Sequence, residues 1–132
     1  MDRMAPRRVL LVEDEPAALR GFAQYLGANG YRVLEAPTGA DGLTLAMTCV
    51  PDVIVLDLGL PDIDGWEVAR TIRAVPATRS VPIIALTGAT MPHEQVSAMR
   101  AGCDRHLAKP CEPTDLLQAI RSCLAASGAD SR

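Results

Sequence analysis

The run Val53-Ile54-Val55-Leu56-Asp57, followed by Leu58-Gly59-Leu60-Pro61-Asp62, constrains this chain most. Four apolar residues stop at a carboxylate, and a loop rich in Gly, Pro and Asp takes over. A short β-branched run bounded by turn residues reads as a buried strand. With no polar alternation, both of its faces are covered, as in a parallel sheet. Asp57 then stands at the carboxyl end of the strand, the edge where open α/β sheets bind ligands.

The same pattern recurs along the chain. Val9-Leu10-Leu11-Val12 ends in Glu13, Asp14 and Glu15. Pro82-Ile83-Ile84-Ala85-Leu86 ends at Thr87-Gly88, and the short Arg105-His106-Leu107-Ala108 ends at Lys109-Pro110. Tyr31 to Glu35 alternates weakly and reads as a short strand near an edge. Helical spacing fills the intervals. Pro16 opens a helix carrying Leu19, Phe22, Ala23 and Leu26, and Asn29-Gly30 stops it. Thr38 caps a second helix, with Leu43, Ala46, Met47 and Val50 on its apolar stripe. A third runs from Trp66 to about Ala74 and buries Val68, Ala69 and Ile72. A fourth runs from Pro92 to Gly102 and buries Val96 and Met99. The last begins at Pro113 or Thr114 and buries Leu116, Leu117, Ile120 and Leu124. Five strand–helix alternations imply an α/β fold, a parallel sheet with helices on both faces and right-handed crossovers.

The length of 132 residues suits one domain. The net charge of −3 comes from acids and bases mixed along the chain, so no basic stripe argues for nucleic acid. No apolar stretch approaches the ~20 residues that span a bilayer. The basic start, Met1 to Arg8, is followed by an apolar run too short for a signal peptide, so a cytoplasmic location is expected. Cys49, Cys103, Cys111 and Cys123 form no C-x-x-C pair and read as free, buried thiols. Cys103, His106 and Cys111 match no zinc spacing.

Polar groups close every strand but the second: Glu13 and Asp14, Asp57, Thr87, Lys109. A parallel sheet brings them to one rim. Singly, each has an ordinary reading. Acids before a helix cap it, Asp57 and Thr87 suit turns, and a lysine is usually a solvated surface charge. Together they describe a site. Three carboxylates in close range repel unless cations compensate them. Lys109 supplies one charge, and an all-oxygen donor set with room for water suits Mg²⁺ for the rest. A carboxylate beside Mg²⁺ and lysine is equipped to accept a phosphoryl group as an acyl phosphate.

With these residues in place, the chain resembles the CheY-like receiver domain of bacterial two-component response regulators. The resemblance covers about Arg8 to Ala126. It rests on Val12-Glu13-Asp14-Glu15, on Asp57-Leu58-Gly59-Leu60-Pro61-Asp62-Ile63-Asp64-Gly65, on Leu86-Thr87-Gly88-Ala89 and on Leu107-Ala108-Lys109-Pro110. It implies a doubly wound, flavodoxin-like (βα)5 fold of strand order 2-1-3-4-5, an order for which a chemotaxis member of this family is a standard example. The implied boundaries are an N-terminal extension over 1–7, the receiver domain over 8–126 and a polar tail over 127–132.

The resemblance also implies roles. Asp57 is the phosphoacceptor. Asp14 holds Mg²⁺ directly and Glu13 through water, with Asp57 and the backbone carbonyl of Gly59 completing the protein ligands. Lys109 pairs with phosphoryl oxygens, Thr87 moves to hydrogen-bond them, and the Lys109-Pro110 bond is cis. The implied donor is a sensor histidine kinase or a histidine phosphotransfer protein. The implied output face is built by the fourth helix, fifth strand and fifth helix. A monomer or weak dimer acting without an attached output domain is expected. The chain departs from the family at His106, where an aromatic usually answers the movement of Thr87. An imidazole titrates near neutral pH, so a weaker or pH-sensitive readout is expected beside the plainer reading of an exposed strand residue. Gly59 and Gly88 leave the site open to water and small donors.

Three other functions compete for these residues. A haloacid-dehalogenase-like phosphatase needs a second Asp two residues after its nucleophile, where this chain has Gly59, and places the nucleophile on its first strand. A flavodoxin-like cofactor binder needs a phosphate loop where this chain has acids. A pseudo-receiver would use the same surface for protein contacts without phosphoryl chemistry. The chain is therefore read as a phosphoacceptor rather than an enzyme, one that assists its own phosphorylation and dephosphorylation.

Overall fold

Five β-strands rich in Val, Ile and Leu build the centre of the computed structural model, which describes residues 5–88 and 102–126. The elements are β1 (Arg8–Val12), α1 (Pro16–Ala28), β2 (Arg32–Ala36), α2 (Gly39–Cys49), β3 (Val53–Asp57), α3 (Gly65–Ala74), β4 (Ile83–Thr87), β5 (Arg105–Ala108) and α4 (Pro113–Ala126). The strands are parallel in the order β2-β1-β3-β4-β5, as the resemblance implied. The helix expected from Pro92 lies outside the described residues, apart from Gly102. The helix after β5 is therefore α4 here.

Every residue of β3 and β4 is buried, which explains their unbroken apolar runs. Alternate residues serve opposite faces. Leu10, Val12, Ile54, Leu56, Ile83 and Ala85 pack against Ala46 of α2 and Val68, Ala69 and Ile72 of α3. Val9, Leu11, Val53, Val55, Ile84 and Leu86 pack against Leu26 of α1 and Leu116, Ile120 and Leu124 of α4. The sheet is thus wound on both sides. β2 sits at one edge and is half-exposed, in keeping with its weak alternation. It starts at Arg32 rather than Tyr31, and α3 starts at Gly65 rather than Trp66.

Helix ends follow the local sequence. Thr38 caps α2 by accepting from the Asp41 amide at 3.0 Å. Glu15, not Glu13 or Asp14, caps α1, accepting from the amides of Ala17 and Ala18. Past the end of α1, Gly30 has a φ of 95°, the left-handed conformation that favours glycine. Val50 ends α2 at a φ of 41°, which is strained for a β-branched residue. The Arg8 guanidinium bonds the Val50 carbonyl at 3.0 Å, and the Arg8 amide bonds the Asp52 carboxylate at 2.7 Å.

Arg73, in the last turn of α3, is a second fastening at the amino ends of the strands. It donates to the carbonyls of Arg79 (2.8 Å), Val81 (2.6 Å) and Gly102 (3.1 Å), and to the Asp104 carboxylate (2.7 Å). The same Asp104 oxygen accepts from the Ile83 amide at 2.8 Å. One guanidinium therefore joins α3, the start of β4 and the approach to β5. That end of the sheet is rigidly tied, and the carboxyl ends face the open rim.

Candidate functional site

Strand register assembles the site. Val12 pairs with Leu56, so Glu13, one residue on, comes level with Asp57. Asp57 pairs with Leu86, and Thr87 pairs with Ala108, which brings Thr87 and Lys109 to the same rim. Between β1 and β3 the strand order reverses, and such a crevice is the usual ligand site of open α/β sheets.

Asp57 is the last residue of β3 and is only 3% exposed. One carboxylate oxygen accepts from the Gly59 amide at 3.0 Å, and the other lies 3.0 Å from Lys109 Nζ. Glu13 is fully buried. Its Oε2 accepts from the Glu15 amide at 3.0 Å. Its Oε1 lies 3.3 Å from Lys109 Nζ, yet at an angle that leaves this buried atom without a hydrogen bond. Asp14 is exposed beside them, and ligand atoms of Glu13, Asp14 and Asp57 all fall within 4.8 Å of one another.

The electrostatics divide the two buried acids. Burial pushes the Glu13 carboxyl up, and the neighbouring Asp57 adds to this, outweighing the Glu15 amide and Lys109. Burial also acts upward on Asp57, but the Gly59 amide, Lys109 and Glu13 outweigh it and hold the carboxyl below its usual range. Burial acts downward on Lys109, but Asp57 and Glu13 outweigh it and raise its pKa. The surroundings thus favour the charged forms of Asp57 and Lys109 and push Glu13 toward its neutral form.

Thr87 is buried at the end of β4, and its hydroxyl donates to the Leu107 carbonyl at 3.4 Å. The Lys109 amide donates to the Thr87 carbonyl at 2.7 Å, and the Lys109–Pro110 bond is cis. His106 is half-buried in β5 opposite Ala85, beside an open groove it shares with Cys111 and Gln118. Gly59 is exposed, and among the described residues a Cβ built there would meet only Asp57 Oδ1, at 3.6 Å. Among the described residues, nothing comes within 4 Å of a Cβ built at Gly88.

Glu13, Asp14, Asp57 and Lys109 are therefore brought together, with Gly59 bonded to Asp57 and Thr87 on the neighbouring strand. His106 lies further along β5, on the groove side. Cys103, His106 and Cys111 form no metal-binding group among the described residues. All four cysteines are free, but only Cys123 is buried; Cys49, Cys103 and Cys111 are half-exposed, because their helix and loop positions lie at the rims of the core. Two polar contacts escaped the sequence reading. Glu15 caps α1, which its place just before Pro16 could have revealed. Asp62 accepts from the amides of Gly39 and Ala40 across 23 and 22 residues, and no local signal marks that partnership.

A family model described as the response regulator receiver domain matches residues 9–121. The chain belongs to that family. Receiver domains of response regulators are in general phosphoacceptors rather than enzymes, and they work in two-component systems. Relatives of this receiver domain include the transcriptional regulatory protein KdpE of Mycobacterium tuberculosis, 38% identical over 86% of this chain and 49% of KdpE. The chain thus spans about half the length of that relative. Protein PilH of Pseudomonas aeruginosa is 31% identical over 89% of this chain and 98% of PilH.

Among solved structures, a CheY-like receiver domain protein from Methanospirillum hungatei matches with a TM-score of 0.86 and 28% identity, over 95% of this chain and 98% of that one. The receiver domain of a sensor histidine kinase from Pseudomonas aeruginosa matches with a TM-score of 0.80 and 34% identity, over 94% and 99% of the two chains. That structure holds a magnesium ion coordinated in its active-site cleft. The present receiver domain has donors that fit such an ion: an all-oxygen set, an excess of carboxylates over ammonium, and the unbonded Oε1 of Glu13. No helix among the described residues is long and apolar enough to cross a membrane.

The buried acids lead to a pH-dependent prediction. Glu13 has a raised pKa, so its ionisation costs stability above the unfolded value of 4.5 and costs nothing well below it. A glutamine at this position carries no ionisable group. Metal-free Glu13→Gln should therefore resist urea better than wild type near pH 7, with the gain fading below pH 4.5. Equal urea midpoints at both pH values would refute the assignment of the mobile proton to Glu13.

Proposed function

We propose that Asp57 is the phosphoacceptor of this receiver domain. The observation that carries this reading is the state of its carboxylate: buried, charged, and held by the Gly59 amide and the Lys109 ammonium beside an acidic pair. Asp14 and Asp57, the backbone carbonyl of Gly59 and, through water, Glu13 would hold Mg²⁺. Bound there, the ion supplies the charge neutralisation that phosphoryl transfer requires. An Asp57 carboxylate oxygen attacks the phosphorus of a phosphohistidine. The P–N bond breaks, the imidazole leaves with the electron pair and takes up a proton, and Asp57 becomes an acyl phosphate. Lys109 then faces phosphoryl oxygens as well as carboxylates.

The added charge and acceptor oxygens would draw the Thr87 hydroxyl away from the Leu107 carbonyl. That bond ties β4 to β5 beside His106, so its loss carries the change to the face made by the predicted fourth helix, β5 and α4. This is a shift between two packings of that face. A sensor histidine kinase or histidine phosphotransfer protein is the proposed donor, and a downstream target recognises the altered face. Exposed Gly59 admits water, so the protein would assist its own dephosphorylation.

Wild-type protein incubated with acetyl phosphate and Mg²⁺ should gain one phosphoryl group by mass spectrometry, and Asp57→Ala should gain none. A wild type that stays unmodified, with no response to beryllium fluoride, leaves only a pseudo-receiver role. Crowding the entrance with Gly59→Gln should lengthen the lifetime of the phosphorylated form; an unchanged decay removes the access argument. His106→Tyr should enlarge the chemical-shift change that phosphorylation causes around β5, and matching changes across neutral pH would dismiss His106 from the readout.

A further inference from the structure

The loop between β3 and α3 carries Gly59 and is fastened at several points. The Leu58 amide donates to the Leu86 carbonyl at 3.0 Å, and Leu58 and Leu60 are buried. Asp64 caps α3 through the Trp66 amide at 2.9 Å. Between these anchors Asp62 reaches out of the loop to a different helix. Its Oδ1 accepts from the Gly39 amide at 2.9 Å and its Oδ2 from the Ala40 amide at 3.0 Å. These are free amides at the amino end of α2, where a carboxylate is favoured by both hydrogen bonding and the helix dipole. The two amides hold the Asp62 carboxyl below its usual range.

The contact is built for close approach. A Cβ at Gly39 would come 3.1 Å from Ile63 Cβ, 3.3 Å from Asp62 Oδ1 and 3.4 Å from Val68. A larger residue there would push the loop outward. Yet α2 has its own cap, because Thr38 accepts from the Asp41 amide. The Asp62 bonds are therefore additional to the ordinary capping of α2, and they link that helix to the loop beside Asp57.

We infer that Asp62 is a positioning residue for the metal site: it straps the loop after β3 to the amino end of α2 and so sets where Gly59 stands relative to Asp57. The inference rests on the reading of Glu13, Asp14, Asp57 and Gly59 as a Mg²⁺ site. Without the strap, the stretch from Pro61 to Ile63 samples more conformations, the hold on Leu60 and Gly59 before it loosens, and the cation must order them on binding. Affinity for Mg²⁺ then falls, and the chemistry at saturating Mg²⁺ does not.

The test compares wild type, Asp62→Ala, Asp62→Asn and Thr38→Ala. Mg²⁺ binding is measured by calorimetry, and the acetyl phosphate reaction is followed against Mg²⁺ concentration. Asp62→Ala should raise the Mg²⁺ dissociation constant roughly ten-fold, the lower end for residues that support metal ligands. Its plateau rate should match wild type. Asp62→Asn, with one acceptor oxygen in place of two, should fall between them. Thr38→Ala should bind Mg²⁺ as wild type does. If Thr38→Ala and Asp62→Ala weaken binding equally, Asp62 is a helix cap and the inference fails. It also fails if wild type binds Mg²⁺ and neither Asp62 variant differs, and Asp62→Asn decides alone should Asp62→Ala not fold. Wild type that binds no Mg²⁺ overturns both this inference and the site reading beneath it.

Discussion

Two buried carboxylates and one ammonium share the crevice between β1, β3 and β5, and the rest of the molecule answers to that arrangement. Charges taken out of water are stable only when each finds a partner. Lys109 reaches both acids, but it hydrogen-bonds only one of them. Asp57 takes that bond and the Gly59 amide besides, and Glu13 is left with an oxygen that nothing satisfies. The crevice is short of positive charge. That deficit is what a divalent cation would relieve, and it keeps the Asp57 oxygens in demand from several neighbours at once.

The frame around the crevice is uneven in a useful way. At the amino ends of the strands, Arg73 joins α3, β4 and the approach to β5, and Arg8 with Asp52 joins β1 to the entry of β3. These are charge-assisted bonds, stronger than neutral ones. At the carboxyl ends two of the side-chain ties are long or shared. The Thr87 hydroxyl meets the Leu107 carbonyl at 3.4 Å, and Lys109 divides itself between two acids. A change of charge at Asp57 therefore acts directly on the Lys109 pairs, at the same rim as the Thr87 bond.

Much of the fold was legible in the sequence because the strands are covered on both faces. Val53 to Leu56 and Ile83 to Leu86 are wholly apolar, and such runs have few other uses in a chain of this size. Helix ends were readable where the capping residue acts on its own turn, as at Thr38. The acids at Glu13 to Glu15 were harder. One of the three is a cap, one is buried and one is exposed, and type alone does not say which. The strand of Tyr31 to Glu35 shifted by one residue because an edge strand has little apolar pattern to fix its start.

Sequence by itself determined which chemistry the strands deliver, since each strand's last residues are covalently bound to its apolar run: acids after the first, an aspartate on the third, a threonine on the fourth, a lysine after the fifth. Tertiary structure alone decided how those groups share protons and partners. Glu13 and Asp57 are both acids, and only their surroundings in the fold, the burial of Glu13 and the Gly59 amide and Lys109 beside Asp57, push the first carboxyl up and hold the second down. The bond from Asp62 to the start of α2 is of the same kind. It depends on two segments meeting in space, and no property of either segment alone records that meeting.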